Sequence, residues 1–431
     1  MAAPRTDTLV IGAGLAGLAA AERLIAAGRS VTILEARDRI GGRVWTAGKA
    51  GNVPLDLGPE WIAEDGAMRQ LLEASGVRLE RAEGSRIQRV GDHWKNLDDR
   101  LDSVQKLLKR AAKVAKNDIA LDDALAACCA EPELEDARTE LLAYVEGFNA
   151  ADPPSVSLRW LLEVEENQPA DTSDLRSTEG TQRAVDALTA GWLGKCDVRL
   201  ETVVRELLWH RGEVKVRTSG GETLRAASAV VTVPLPHLES LRFDPELPEK
   251  RYAAGRLTMG AATKLLLHFR EAFWRETPAL RDMLFLHAFD QPFPTWWAPL
   301  DPDAPLLTAW AGGPQSDRLG TTDPKALVEL AVRSLAAALG MREADVSALL
   351  EDHSYHDWNG DPYSRGAYTY VRVGGTEAYR ALADPVEDTL FFAGEATCGK
   401  GYNATMEGAV VSGRRAADEV IQKGGGGPGR S

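Results

Sequence analysis

Thr8-Leu9-Val10-Ile11-Gly12-Ala13-Gly14-Leu15-Ala16-Gly17, continuing through an alanine-rich stretch to Glu35 and Arg43, sets the architecture of the chain. Thr8 to Ile11 reads as a short buried strand, Leu18 to Ala27 as a helix, and Ser30 to Leu34 as a second strand that ends on Glu35. Together they form the first βαβ unit of a Rossmann-like dinucleotide-binding fold. Gly12 permits the tight turn, Gly14 lets the backbone approach a pyrophosphate, and Gly17 lets helix and strand pack closely. Ala13, Leu15 and Ala16 complete this phosphate loop, and the helix N-terminus adds unpaired N–H groups with a partial positive charge. Glu35, 18 residues beyond Gly17, is placed to accept hydrogen bonds from ribose hydroxyls. NAD and FAD both remain open on this unit alone. The next residues, Ala36-Arg37-Asp38-Arg39-Ile40-Gly41-Gly42-Arg43, supply a second glycine pair for another close approach and a guanidinium for phosphate, which favours FAD.

The 431 residues can bury a large core in two or three domain-sized units. A composition of 44% hydrophobic and 26% charged residues leaves little room for extensive disorder. The net charge of −14 disfavours nucleic acid, which is bound through positive charge, and suits cationic small molecules such as amines. Cys128, Cys129, Cys196 and Cys398 lack metal-type spacing and read as reduced thiols of a cytoplasmic protein. The first strand starts too early to leave room for a signal peptide, and no run is long and apolar enough for a membrane span. No metal site, membrane or nucleic acid is expected, and the chain reads as a monomer or homodimer.

Along the chain, α/β character gives way near residue 77 to several helices and short strands. The helix expected from Leu97 to about Lys116 carries Lys106, Lys109, Arg110, Lys113 and Lys116 on a solvated face. The α/β pattern returns at Gly180-Thr181-Gln182, with a hairpin, Glu213–Arg217 to Thr223–Ala227, and a separate buried strand, Ala229 to Pro234. A second mixed segment follows from about 240, and the chain closes with a strand, a loop and a long helix. The expected class is therefore α/β (α+β overall). A discontinuous FAD-binding domain (1–76, 177–239, 386–423) is interleaved with a mixed α+β substrate domain (77–176, 240–385), and 424–431 form a disordered tail.

Two late stretches extend the cofactor reading: Leu390-Phe391-Phe392-Ala393-Gly394-Glu395-Ala396, and Gly401-Tyr402-Asn403-Ala404-Thr405-Met406-Glu407 at the start of the final helix. A second helix N-terminus suits the electron-rich edge of a reduced flavin. With the Glu35–Arg43 stretch, these motifs resemble the flavin-containing amine oxidase family over nearly the whole chain. That family includes monoamine and polyamine oxidases, L-amino-acid oxidases and the flavin-dependent histone lysine demethylases. The resemblance implies FAD contacts from Gly12 to Gly17, Glu35, Ala36, Arg37, Gly41, Gly42 and Arg43. It implies others from Gly58, Pro59, Glu60, Gly394, Glu395, Ala404, Thr405 and Met406, with adenine against the Val204 backbone and Trp358 and Tyr363 near the isoalloxazine. Ala367 stands where monoamine oxidases carry the cysteine that binds flavin covalently, so FAD is expected to be noncovalent.

The resemblance also assigns the chemistry. Lys264 is out of place in the apolar strand Ala262 to Phe269, where an exposed lysine would be the ordinary reading. The family holds a water against flavin N5 with a lysine at this position. Tyr368 aligns with one aromatic wall of the amine cage, while the opposite wall falls on Thr405, giving a half-open cage. Glu60 beside Trp61 would favour a cationic remote group, as in a diamine or polyamine, or else make a structural hydrogen bond. Of the neighbours Trp296 and Trp297, which face opposite sides of a strand, one is placed to line the cavity. The implied activity is oxidation of a primary or secondary amine or polyamine, with oxygen as acceptor and hydrogen peroxide released. The alternatives are a desaturase-like or protoporphyrinogen-oxidase-like enzyme on a large apolar substrate, an L-amino-acid oxidase, or a flavoprotein serving as a binding module. The long helical insertion and accessory domain of the histone demethylases are missing, so a chromatin role is not expected.

Overall fold

The computed structural model describes residues 6–98, 100–167, 175–399 and 401–424. Residues 425–431 of the expected tail lie outside these, whereas Gly424 still belongs to the final helix, Met406–Gly424. The first strand, Thr6–Ile11, pairs parallel with Val31–Leu34 on one edge and with Thr223–Val231 on the other. Val10, Ile33, Val230 and Phe391 point to one side of this sheet, into a core shared with the helix Leu15–Ala26 and the final helix. Leu9, Ile11, Leu34, Val231 and Phe392 point to the other side, into a second core. A strand buried on both faces needs a continuous apolar run, and this accounts for Leu9-Val10-Ile11. Gly413 sets the approach of the two helices, since a Cβ there would lie 2.1 Å from the Ala16 carbonyl oxygen.

The hairpin strand and the buried strand expected at 223–227 and 229–234 are one strand, Thr223–Val231. Its first half pairs antiparallel with Glu213–Thr218, and its last three residues pair parallel with Leu390–Phe392 on the same edge. The change from alternating to continuous apolar residues marks this change of neighbour, not a break in the chain. The helix expected from Leu97 begins at Arg100 and ends at Val114. Val104, Leu107, Leu108 and Ala111 enter the core, and the five basic residues stay outside. Cys128 and Cys129 depart from the expected thiols, being joined as a vicinal disulfide where Cys129 leaves the helix Leu121–Cys128. Cys196 and Cys398 are free. Among the described residues no helix is long and apolar enough to cross a membrane.

A second sheet of seven strands carries Ala262–Phe269, Leu306–Gly312, Thr295–Trp297, Met283–His287 and Ser85–Val90 side by side. Register decides which residues share a face. Leu265, Ala309, Trp296, Leu286 and Ile87 form one row across the strands, and all five are buried in a third core. The rows beside it, Lys264-Trp310-Thr295-His287 and Leu266-Thr308-Trp297-Phe285-Arg86, face the other way, toward the first sheet.

Candidate active site

A cavity of about 870 Å³ lies between the two sheets. Gly12, Gly14, Leu15 and Ala16 line one end, with Glu35, Ala36 and Arg37 beside them and Val204 across from them. Gly41, Gly42, Arg43, Gly58, Pro59, Trp358, Tyr363, Gly394, Glu395, Ala404, Thr405 and Met406 continue the wall. Ala13 and Gly17 stand behind it. Ala13 donates its N–H to Glu35 Oε2 at 2.7 Å, and Gly17 supplies the contact between helix and strand. Glu35 also accepts from Arg37 N at 2.9 Å. A carboxylate has about four acceptor positions, so Glu35 keeps capacity for ribose hydroxyls.

The cradle is shaped for close approach of a ligand. Gly42 has φ +60°, and a Cβ on it would sit 3.1 Å from Gly14 Cα, so the second loop closes on the first most readily with glycine at 42. Gly394 has φ +130° and nothing within 4 Å of where a Cβ would lie, on the cavity wall. Two helices, Leu15–Ala26 and Met406–Gly424, begin at the cavity, and their first-turn N–H groups lack intrahelical partners. Arg43 is held by Glu395 at 3.1 Å and by the Ala367 carbonyl at 2.5 Å. Arg37 pairs with Asp361 at 2.7 Å and donates to Ser364. Burial opposes the charge on Asp361, but bonds from His356 and Arg37 outweigh it and hold the carboxyl well below the usual range. These residues fit a dinucleotide with a pyrophosphate between the two glycine loops.

The far end is built by the second sheet. Lys264, only 4% exposed, donates to the Gly58 carbonyl at 3.0 Å and to Glu60 Oε2 at 2.5 Å. Glu60 also meets Arg176 at 2.7 Å and accepts from Trp297 Nε1 at 2.6 Å. Burial pushes the Glu60 carboxyl up, yet the Arg176 and Lys264 charges together with the Lys264 and Trp297 bonds bring it below its ordinary value. Glu60 is thus committed to a structural network, and the remote-ammonium alternative loses its carboxylate. Trp296 is a correction: it lies in the core row, with its Nε1 on the Phe293 carbonyl, and only Trp297 reaches the cavity. Trp61 lines the cavity, stacked on Phe285 at 5.6 Å.

Tyr368 begins the strand Tyr368–Val371, which pairs with Leu257–Gly260, and its hydroxyl donates to the Phe148 carbonyl at 2.8 Å. Thr405 caps the final helix: its hydroxyl accepts from Gly408 N at 2.9 Å and donates to the Tyr402 carbonyl. Its side chain is therefore occupied with the helix end, and Tyr402 stands next to it on the cavity wall. Tyr368→Phe is expected to lower kcat/KM by no more than about tenfold, since one neutral hydrogen bond is lost. Tyr368→Ala, which removes the wall itself, is expected to lower it further. Steady-state kinetics with one amine substrate check both.

Residues 15–421 match the family described as flavin containing amine oxidoreductase. The chain belongs to that family. It is 30% identical to Polyamine oxidase 3 of Oryza sativa subsp. japonica, over 96% of this chain and 88% of that protein. It is also 30% identical to Lysine-specific histone demethylase 1 homolog 2 of Arabidopsis thaliana, but spans only 58% of that protein's length. Among solved structures, cyclohexylamine oxidase from Brevibacterium oxydans IH-35A superposes with a TM-score of 0.82 at 24% identity, covering 97% of this chain and 99% of that one. Putrescine oxidase bound to putrescine gives 0.80 at 22% identity, with the same coverage. Those two likenesses concern the fold. As a flavin-containing amine oxidoreductase, the chain uses FAD and oxidises amines.

Several wall residues of this oxidoreductase escaped the sequence reading. Tyr144, Phe148 and Trp160 come from the helical segment, and Arg86, Phe285, His287 and Trp310 from the second sheet. Arg176, the partner of Glu60, sits in the three-residue strand Leu175–Ser177. The one available signal was Lys264 itself, because a lysine in a buried strand demands a carboxylate nearby.

Proposed function

We propose that the protein oxidises a small primary or secondary amine, seated between Tyr368 and the aromatic side chains of Trp310, Trp297 and Phe285, with Lys264 beside the reacting end. The observation that carries this reading is the Lys264 hydrogen bond to Gly58. It ties the out-of-place lysine of the second sheet to a loop of the cofactor wall. FAD, held by these residues, would supply the redox chemistry: two-electron oxidation of the amine-bearing carbon to an imine, which water hydrolyses, with oxygen as the acceptor and hydrogen peroxide as its product.

The chain's own residues do the rest. Tyr368, Trp297 and Trp310 offer flat apolar surfaces that hold the uncharged amine form and exclude water. A lysine ammonium has three N–H donors; with Gly58 and Glu60 satisfied, Lys264 keeps one to hold a water for the oxygen step. Ala367 carries no thiol, which supports noncovalent attachment. The acidic balance of the chain suits a free, cationic small-molecule substrate. Hydrogen peroxide formed from a panel of mono-, di- and polyamines tests the reading. Amine-dependent peroxide is expected, with colour released to the supernatant on acid precipitation. Turnover only of a porphyrinogen or a polyene would replace it with the large-substrate alternative.

A further inference from the structure

We infer that Arg86 is a specificity residue that selects amines bearing a carboxylate at the end remote from the reacting nitrogen. The inference rests on the amine-oxidase reading above and adds the substrate's second functional group.

Arg86 occupies the cavity-facing row of the second sheet, in register with Phe285, and lines the cavity. Its guanidinium carbon lies 5.5 Å from the Phe285 ring centre. Among the described residues no carboxylate lies within ion-pair distance of it. Asp98 accepts from the Arg86 backbone N–H at 2.9 Å. Of the carboxylates on this wall, Glu60 pairs with Lys264 and Arg176, Glu64 with Arg81, and Glu407 accepts from the Ala67 and Met68 N–H groups. Arg86 is thus left, among the described residues, as a cavity-lining cation with no carboxylate of its own. An ammonium group brought here would meet that cation, and among the described residues the carboxylates lining this wall are already bonded elsewhere. A carboxylate would find a planar donor fork suited to two parallel hydrogen bonds.

The aromatic row fixes what lies between the two ends. Lys264 Nζ is 5.7 Å from the Trp297 ring centre, Trp297 is 6.2 Å from Phe285, and Phe285 leads to Arg86. Trp61 covers the same stretch, stacked on Phe285. The spacer is accordingly apolar, an aryl ring or a medium-length alkyl chain, with the amine at the Lys264 end and the carboxylate at the Arg86 end.

The test compares three sets of substrates matched in chain length: ω-amino carboxylates, neutral alkylamines and α,ω-diamines. Wild type is expected to favour the carboxylates. Arg86→Met should lower the ratio of kcat/KM for carboxylate over alkylamine by about 10- to 100-fold, the range for a charged hydrogen-bonded contact, mainly through KM. Arg86→Glu should shift preference toward the diamine. Titrating the flavin's visible spectrum with an aryl carboxylate that lacks an amine gives a readout free of turnover, and its Kd should rise by a similar factor in Arg86→Met. An unchanged substrate ratio and an unchanged Kd would overturn the inference. If no amine reduces the flavin while carboxylate binding still depends on Arg86, the amine-oxidase reading fails and the anion site stands.

Discussion

Gly17→Ala is expected to yield a folded protein whose affinity for flavin falls at least a hundredfold, about 2.8 kcal/mol, so that it is purified with far less flavin than wild type. A Cβ at residue 17 would lie 1.9 Å from the Gly12 carbonyl oxygen and 3.0 Å from Thr232 Oγ1. Neither neighbour is a flexible side-chain end that can swing away. The Gly12 carbonyl belongs to the turn, and the Thr232 hydroxyl is fixed by bonds to the Ile11 and Gly12 carbonyls at 2.8 and 3.2 Å. Relief therefore requires the N-terminus of the helix Leu15–Ala26 to move off the strand, and the helix end and glycine turn that would receive the pyrophosphate move with it. Gly28→Ala is the matched control: Gly28 has φ +76°, and a Cβ there meets nothing within 4 Å. It should cost about 1–2 kcal/mol of stability for the left-handed backbone and leave flavin content unchanged. Visible absorbance relative to protein absorbance, with thermal unfolding alongside, separates the two. Full flavin occupancy in Gly17→Ala would contradict the assigned cradle.

The largest stability effect is expected at Glu60. Glu60→Leu strands two cations, Lys264 and Arg176, whose side chains are 4% and 11% exposed. Removing one member of a buried ion network costs about 3–5 kcal/mol, and denaturant unfolding should show a loss of that size. Lys264→Met is expected to cost less, because Glu60 retains Arg176 and the Trp297 indole N–H. The double variant should be more stable than the sum of the two losses predicts, by about 1–3 kcal/mol. The acid side gives the sign: the folded Glu60 carboxyl is held below its ordinary value of 4.5. Its contribution is full above that value and is lost as pH falls through the folded pKa. The gap between wild type and Glu60→Leu should therefore narrow in acid and stay constant from pH 6 to 8. Kinetically, Lys264→Met should slow the oxygen half-reaction at least about tenfold, or 1.36 kcal/mol of barrier, and leave the amine half-reaction nearly intact. Equal slowing of both halves would remove Lys264 from the oxygen step.

What the sequence made legible was local. The cofactor turn needs only strand, glycines, helix and Glu35 within one short segment, and each forms where the residues point. Lys264 stood out because a charge in an apolar strand is costly unless paired, but its partner was not readable. Glu60 lies 204 residues away, and Arg176 sits in a strand of three residues. The choice between Trp296 and Trp297 likewise depended on register. Either face of Thr295–Trp297 was open until Ala309 and Leu286 were aligned with Trp296 in the core. Thr405 read as a cage wall because its role in capping the final helix depends on where that helix starts. Arg86 gave no signal at all, since an arginine in a short polar strand is ordinary until its neighbours show which face is the cavity.

The most direct test of amine oxidation at this cavity is anaerobic mixing of the flavin-loaded protein with single amines while the flavin's visible band is followed. Rapid bleaching by an amine, slowed in Tyr368→Ala and restored to the oxidised spectrum on admitting oxygen with release of hydrogen peroxide, is the predicted result. A band left untouched by every amine tested, but bleached by a porphyrinogen or a polyene, would contradict it.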